Sequence, residues 1–192
     1  FLTAGVQVVG YDLVVENRET MAQEGCSIAA SVEALVAQVP TPRKIWVLVP
    51  VGKAVDAVLF DPETGLINFC EAGDIITEGG NSFFRDSTRR GATLQERGIT
   101  YLDCGTSGGV EGEEHGYCLM VGGDKDAYAR LEPLYGVLAG AGGLAHVGPL
   151  GAGHFLKMVH IGIVSGILEC MGEGFEMLEN GAGGMYPDLD LA

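Results

Sequence analysis

Short runs of β-branched and apolar residues, each closing on a glycine, proline or aspartate, alternate with segments of helical spacing along most of this chain. Residues 6–11 (VQVVGY) close on Asp12, and residues 44–49 (KIWVLV) are halted by Pro50 and Gly52. Both read as buried parallel strands, because they lack the polar alternate positions of a strand with one wet face. Between them, residues 19–38 carry helix-type spacing, with Ser31 capping SVEALVAQV and Glu33 and Ala34 following in its first turn. Further on, Gly73 and Asp74 precede the strand DIIT, residues 86–97 form a polar helix, and 99–103 and 118–121 are strands. Asp124 can cap a helix over 127–138, and a glycine-rich turn leads to the segment AHVG. Buried strands alternating with helices predict an α/β protein built on a doubly wound parallel sheet.

From Gly151 the pattern changes. Residues 154–178 contain no proline and repeat apolar residues at helical spacing, so one long helix is expected, softened by Gly162, Gly166, Gly172 and Gly174. Each of these glycines costs roughly 1 kcal/mol of helix propensity relative to Ala, and close packing against a neighbour would explain them. The expected division is a main domain over 1–150, a long helix over 151–180, and a tail over 181–192 whose PDLDLA could begin another capped helix.

Composition narrows the classes of function. At 192 residues and 47% hydrophobic, the chain can bury one substantial core. Its 31 glycines show no every-third-residue period, so they belong to turns and close backbone approaches, as in a loop-built site. A formal net charge of -15 argues against nucleic acid as a partner, since phosphate binding needs clustered Lys and Arg. Cys26, Cys70, Cys104, Cys118 and Cys170 are widely spaced, without a CxxC pair, which suggests reduced thiols in a cytoplasmic protein and no metal site. No apolar run is read as approaching the roughly 20 residues of a membrane span, and the start lacks the features of a signal peptide. The first residue is Phe1 rather than Met, which suggests a truncated start.

Four places carry chemistry. Asp12, at the end of a buried strand, stands where a dinucleotide-binding fold sets a carboxylate against ribose hydroxyls, although an Asp there also serves as a turn former. Gly79-Gly80-Asn81-Ser82 follows DIITE, and Thr106-Ser107-Gly108-Gly109 follows ITYLDC; ligands of open α/β sheets gather at such strand ends. Each loop could equally be an ordinary turn. Lys157 and His160, with Ile161 and Val164, occupy one face at i, i+3, i+4 and i+7 of the long helix. Two polar groups on that face need a polar site to meet, unless the Lys snorkels and the His is satisfied locally.

In order and spacing, GDIITEGGNS, GTSGG, CLMVGGD and GAGHFLKMVHIG resemble the 6-phosphogluconate dehydrogenase family over about residues 6–178, and the long GAGHxxKMVH string is the most specific part. The resemblance implies a Rossmann-like parallel sheet followed by the long helix. It also implies NAD-linked oxidation of a sugar-phosphate acid, and a homodimer for the full-length family. By the same resemblance, Asn81, Ser107, Gly108, Gly109 and His160 hold the substrate. Lys157 accepts the C3 hydroxyl proton, and Asp12, Val49, Pro50 and Asn81 line the cofactor. A carboxylate at Asp12 repels a 2′-phosphate, so NAD is expected over NADP.

The sequence also departs from the family. Where the family reads KMVHNGIEY, this chain reads KMVHIGIVS: Ile161 replaces a substrate-binding Asn, Val164 the acid that protonates the enediol, and Ser165 a Tyr that contacts phosphate. Glu78 stands where the family has Asp. No GxGxxG precedes Asp12 in this sequence, and the family's all-helical C-terminal domain is expected to be missing. Two readings follow, a divergent or partial dehydrogenase and a catalytically inactive remnant, at most a weak nucleotide or sugar-phosphate binder or an interaction module using the exposed side of the long helix.

Overall fold

The computed structural model describes residues 1–186. In chain order the elements are β1 (Val9–Gly10), α1 (Val15–Gln23), β2 (Ser27–Ile28), α2 (Val32–Gln38), β3 (Lys44–Val47), α3 (Lys53–Phe60), β4 (Ile75–Glu78) and α4 (Phe84–Gln95). They continue as β5 (Thr100–Ser107), α5 (Gly112–His115), β6 (Tyr117–Gly122), α6 (Lys125–Leu138), β7 (Ala139–Gly148), α7 (Ala152–Glu179) and α8 (Gly181–Gly184). The chain divides into two compact units, Phe1–Lys157 and Met158–Ala192.

In the first unit, five strands pair in sequence order from β3 to β7, and β1 and β2 form a separate parallel pair. Alternate residues of the central strands enter different cores. Ile76 and Tyr101 join Val36, Val55, Leu59 and Leu94, whereas Ile75 and Leu102 join Leu119, Leu131 and Tyr135. Helices α2, α3 and α4 therefore cover one face and α6 the other, the doubly wound arrangement that continuous apolar strands require. At the start of β4 the fully buried Asp74 accepts from Arg43 N at 2.6 Å, Arg43 Nη1 at 2.9 Å and Glu71 N at 3.0 Å, which fixes β3 against β4. Ser31 Oγ accepts from Ala34 N and Asp124 from Ala127 N, so both expected caps are present.

Several expectations are corrected. Residues 19–38 are not one helix: α1 ends at Gln23, Gly25 follows at φ 97°, and the short strand β2 intervenes before Ser31. The first strand shortens from six residues to Val9–Gly10 and pairs with β2 rather than with the main sheet. The sheet is not wholly parallel, because β6 runs antiparallel to β5, with Ser107 opposite Cys118 and Asp103 opposite Gly122. An apolar run carries no direction, so its composition could not distinguish the two. Helix α3, following the Gly52 turn, fills a stretch where no element was expected.

In the second unit, the part of α7 from Met158 onward is exposed along its length. A Cβ added at Gly162, Gly166, Gly172 or Gly174 would meet nothing within 4 Å, so the close packing expected for these glycines is not found among the described residues. By length and composition α7 is apolar enough to cross a membrane, with mean hydropathy 1.4 over its most apolar window, which corrects the expectation that no segment approaches a span. The PDLDLA segment lies outside the described residues.

Candidate active site

Strands β3, β4 and β5 are mutually parallel, so the residues at and after their ends, Val49-Pro50, Gly79 to Ser82 and Ser107 to Gly109, emerge at one edge of the sheet. There the side chain of Asn81 spans two loops. Its Nδ2 donates to Thr106 O at 3.0 Å and its Oδ1 accepts from Thr106 N at 2.8 Å. Asn81 holds φ 61°, the left-handed region that Asn tolerates better than most residues. Ser107 is half-buried, and Gly108 and Gly109, at φ 154° and 54°, lie exposed at the loop's tip.

The first turn of α7 is fastened to β5 by one carboxylate. Asp103, fully buried, accepts from Gly151 N at 2.6 Å through Oδ1 and from His154 N at 2.7 Å through Oδ2. Two of the amides that every helix start leaves unpaired are thereby satisfied by a negative charge. The backbones are in close approach: a Cβ at Gly105 would lie 2.6 Å from Gly153 O and 2.8 Å from Lys157 Cβ, and one at Gly153 would strike Met120 O. Lys157 therefore rests on β5 at Gly105, next to the residue that Asn81 holds. It is 8% exposed, and burial lowers its pKa from the ordinary 10.5, opposed by the negative potential of Cys118.

A buried polar cluster ties the loop bases together. Arg90 of α4, wholly inaccessible, donates through Nε to Asp56 at 2.9 Å, through Nη1 to Ser82 Oγ at 3.0 Å and through Nη2 to Gly52 O at 3.1 Å. Its Nη1 is 3.7 Å from Glu78 Oε2. Glu78 Oε1 in turn accepts from Gly80 N at 2.7 Å, and Ser87 Oγ is 2.7 Å from His154 Nδ1. Arg90, Asp103 and Ser87 were not singled out as functional residues from the sequence. Arg90 and Ser87 sit within what reads as a plain polar helix, and Asp103 reads as a strand end.

The other predicted site residues are distributed as follows. Asp12 is half-buried after β1; its carboxylate accepts from Val14 N at 2.7 Å and Asn17 Nδ2 at 3.1 Å, and these contacts hold its pKa below the ordinary carboxylate value. The turn-forming role is thus realised, and a carboxylate with about four acceptor sites retains capacity for ribose hydroxyls. Val49 is half-buried and Pro50 exposed, and a Cβ on Gly80 would lie 2.8 Å from Val49 O, so the β3 and β4 loops are in contact. The structure brings Asn81, Ser107 and Lys157 to one edge of the first unit. His160, Ile161, Val164 and Ser165 belong to the second unit and are all exposed.

Residues 1–148 match the family described as the NAD binding domain of 6-phosphogluconate dehydrogenase. The chain belongs to the 6-phosphogluconate dehydrogenase family. It is 44% identical over 191 residues to the NAD(+)-dependent, decarboxylating 6-phosphogluconate dehydrogenase of Haloferax volcanii, covering 99% of this chain and 60% of that protein. It is 36% identical over 195 residues to the decarboxylating enzyme of Haemophilus influenzae, covering 94% of this chain and 40% of that one. The chain thus spans three fifths or less of the length of these family members. Among solved structures, Plasmodium falciparum 6-phosphogluconate dehydrogenase, studied with NADP+ and with 6-phosphogluconate, superposes with a TM-score of 0.83 at 28% identity over 93% of this chain and 39% of that one. The Mycobacterium tuberculosis 3-hydroxyisobutyrate dehydrogenase shares the fold, with a TM-score of 0.83 at 23% identity over 94% of this chain and 60% of that one. As in those family members, the fold here is Rossmann-like and of the NAD(P)-binding type.

Proposed function

We propose that this chain carries the cofactor-binding half and the catalytic base of an NAD-linked dehydrogenase that converts 6-phospho-D-gluconate to ribulose 5-phosphate and CO2. The observation that carries this reading is Lys157, buried on Gly105 with its pKa lowered, next to the loop that Asn81 holds. A neutral amine there accepts the proton of the C3 hydroxyl. The nicotinamide, when bound, supplies the hydride acceptor. The resulting 3-keto acid loses its carboxyl carbon as CO2, the electron pair of that bond forms the double bond of the enediol, and a proton added at the carbon that lost CO2 gives ribulose 5-phosphate. Asn81, the Ser107 hydroxyl and the backbone of Gly108 and Gly109 serve to hold the sugar acid. Asp12, Val49, Pro50 and Asn81 serve the cofactor, with Asp12 favouring NAD over NADP. Homodimer formation belongs to the same reading.

One observation supports a second reading. Val164 stands where the family carries the acid that protonates the enediol, and a valine cannot donate a proton. Together with Ile161 it fits a member that binds sugar phosphate or nucleotide without turning it over. The two readings separate in one assay: NADH formation from 6-phosphogluconate with NAD, and NADPH formation with NADP, by the chain and by an Ile161→Asn, Val164→Glu double variant. The dehydrogenase reading expects reduced NAD from the chain and faster turnover from the double variant. The binding reading expects no reduced cofactor but a higher Tm with ligand. No turnover and no Tm shift in either protein contradicts both.

A further inference from the structure

The backbone amides at the start of α7 are held to β5 by the Asp103 carboxylate. Its two oxygens are divided between Gly151 N and His154 N, and no other side chain among the described residues accepts from these amides. Three residues beyond His154, Lys157 packs on Gly105, two residues after Asp103 in the same strand. The carboxylate and the amine are thus linked by one helical turn and by one strand segment, both without slack. A Cβ at either Gly105 or Gly153 would collide with backbone or with Lys157. Around this turn stand Glu78 of β4, with Oε2 at 3.7 Å from His154 Nδ1; Asp103 of β5; Cys118 of β6; Arg90 of α4; and Ser87, bonded to His154.

We propose that Asp103 is the positioning residue of Lys157: by pinning the Gly151 and His154 amides to β5, it holds the Lys157 side chain against Gly105 and out of water. The proposal rests on the reading of Lys157 as the base, and it assigns Asp103 no contact with substrate or cofactor. Near-isosteric Asp103→Asn keeps one acceptor oxygen but turns an NH2 toward the other amide and removes the charge. The turn loosens and water reaches Lys157. Desolvation no longer favours the neutral amine, and its pKa moves up toward the ordinary lysine value. A base must be neutral to act, so the acid limb of the kcat profile moves to higher pH. Near neutral pH kcat falls by about tenfold to a hundredfold, the scale expected of a misplaced catalytic group. Raising the pH restores part of the loss.

The test is the titration of the Lys157 side chain in the full chain, followed by carbon NMR of its ε position, in the wild type, Asp103→Asn and Gly105→Ala. Gly105→Ala displaces Lys157 sterically while leaving every charge in place. Folding of each variant is checked by thermal melting. The proposal expects an upward shift of the Lys157 titration in both variants and, where the wild type turns over, a matching shift of the acid limb of kcat with little change in KM for the cofactor. A folded Asp103→Asn whose Lys157 titrates as in the wild type overturns it. If Asp103→Asn does not fold, an unshifted Lys157 in folded Gly105→Ala overturns it instead. The NMR readout needs no turnover, so absence of activity in every protein would count against the dehydrogenase reading while leaving the positioning role to be decided by titration.

Discussion

Asn81 and Thr106 exchange two hydrogen bonds across the carboxyl edge of the sheet, side-chain amide to backbone carbonyl at 3.0 Å and backbone amide to side-chain carbonyl at 2.8 Å. The pair joins the loop after β4 to the end of β5, just ahead of the Gly108-Gly109 loop. Asn81→Ala removes both bonds and forces Ala into a left-handed backbone, so we expect a stability loss of about 1–3 kcal/mol by denaturant titration. Asn81→Gly, which relieves the backbone cost, should lose less. Equal losses in the two variants would show that backbone conformation contributes nothing.

Lys157 makes a pH prediction whose sign can be worked out. Its folded pKa is lowered by burial while the unfolded value is ordinary, so between the two the unfolded chain binds the extra proton and stability rises with pH. Below the folded value the group is destabilising to its full extent. Lys157→Met should therefore raise Tm near neutral pH, by roughly 2–4 °C for each kcal/mol in a chain of this size, while removing any base catalysis. It should also flatten the rise of Tm at alkaline pH. A lower Tm for Lys157→Met would show that the lysine contributes favourable contacts beyond its charge.

The Arg43 and Asp74 pair anchors the edge of the sheet. Asp74 is inaccessible and accepts three hydrogen bonds, two of them from Arg43. Replacing it by Ala leaves the Arg43 and Glu71 amides without an acceptor and the half-buried guanidinium with only Val36 O and the exposed Glu71 to meet it, and about 3–5 kcal/mol of stability should be lost. Asp74→Asn, which keeps one acceptor oxygen, should fall between the wild type and Asp74→Ala in a urea titration.

The five thiols should separate by reactivity. Cys118 and Cys170 are exposed, whereas burial pushes the Cys104 and Cys70 thiols up to about 12. Only the thiolate attacks a disulfide reagent. Two thiols should react promptly in the folded protein, with Cys104 reacting only on unfolding. Prompt reaction of Cys104 would mean that the core around β5 opens readily.

Much of this site was visible in the amino-acid sequence because its signals are local. The Ser31 and Asp124 caps, the strands leading to Asn81 and Ser107, and the helix bearing Lys157 each depend on residues within a few positions of one another. What stayed hidden depends on partners distant in the chain. Ser27 and Ile28 make a strand only because Val9 and Gly10 pair with them, and their neighbours carry helical spacing. The antiparallel course of β6 is set by its connection through α5, not by the apolar run itself. Arg90 reads as one more cation on a polar helix until Glu78, Ser82, Gly52 and Asp56 are found around it. Lys157 is buried and His160 exposed, a difference that their shared helical spacing does not reveal.

The central claim is that Lys157 is the base of an oxidative decarboxylation. Release of labelled CO2 from 6-phosphogluconate carrying the label in its carboxyl carbon tests it most directly, measured with NAD for the chain and for Lys157→Met. The account predicts NAD-dependent release by the chain and its loss, by about a hundredfold or more, in Lys157→Met. Release that is equal in the two proteins would contradict it.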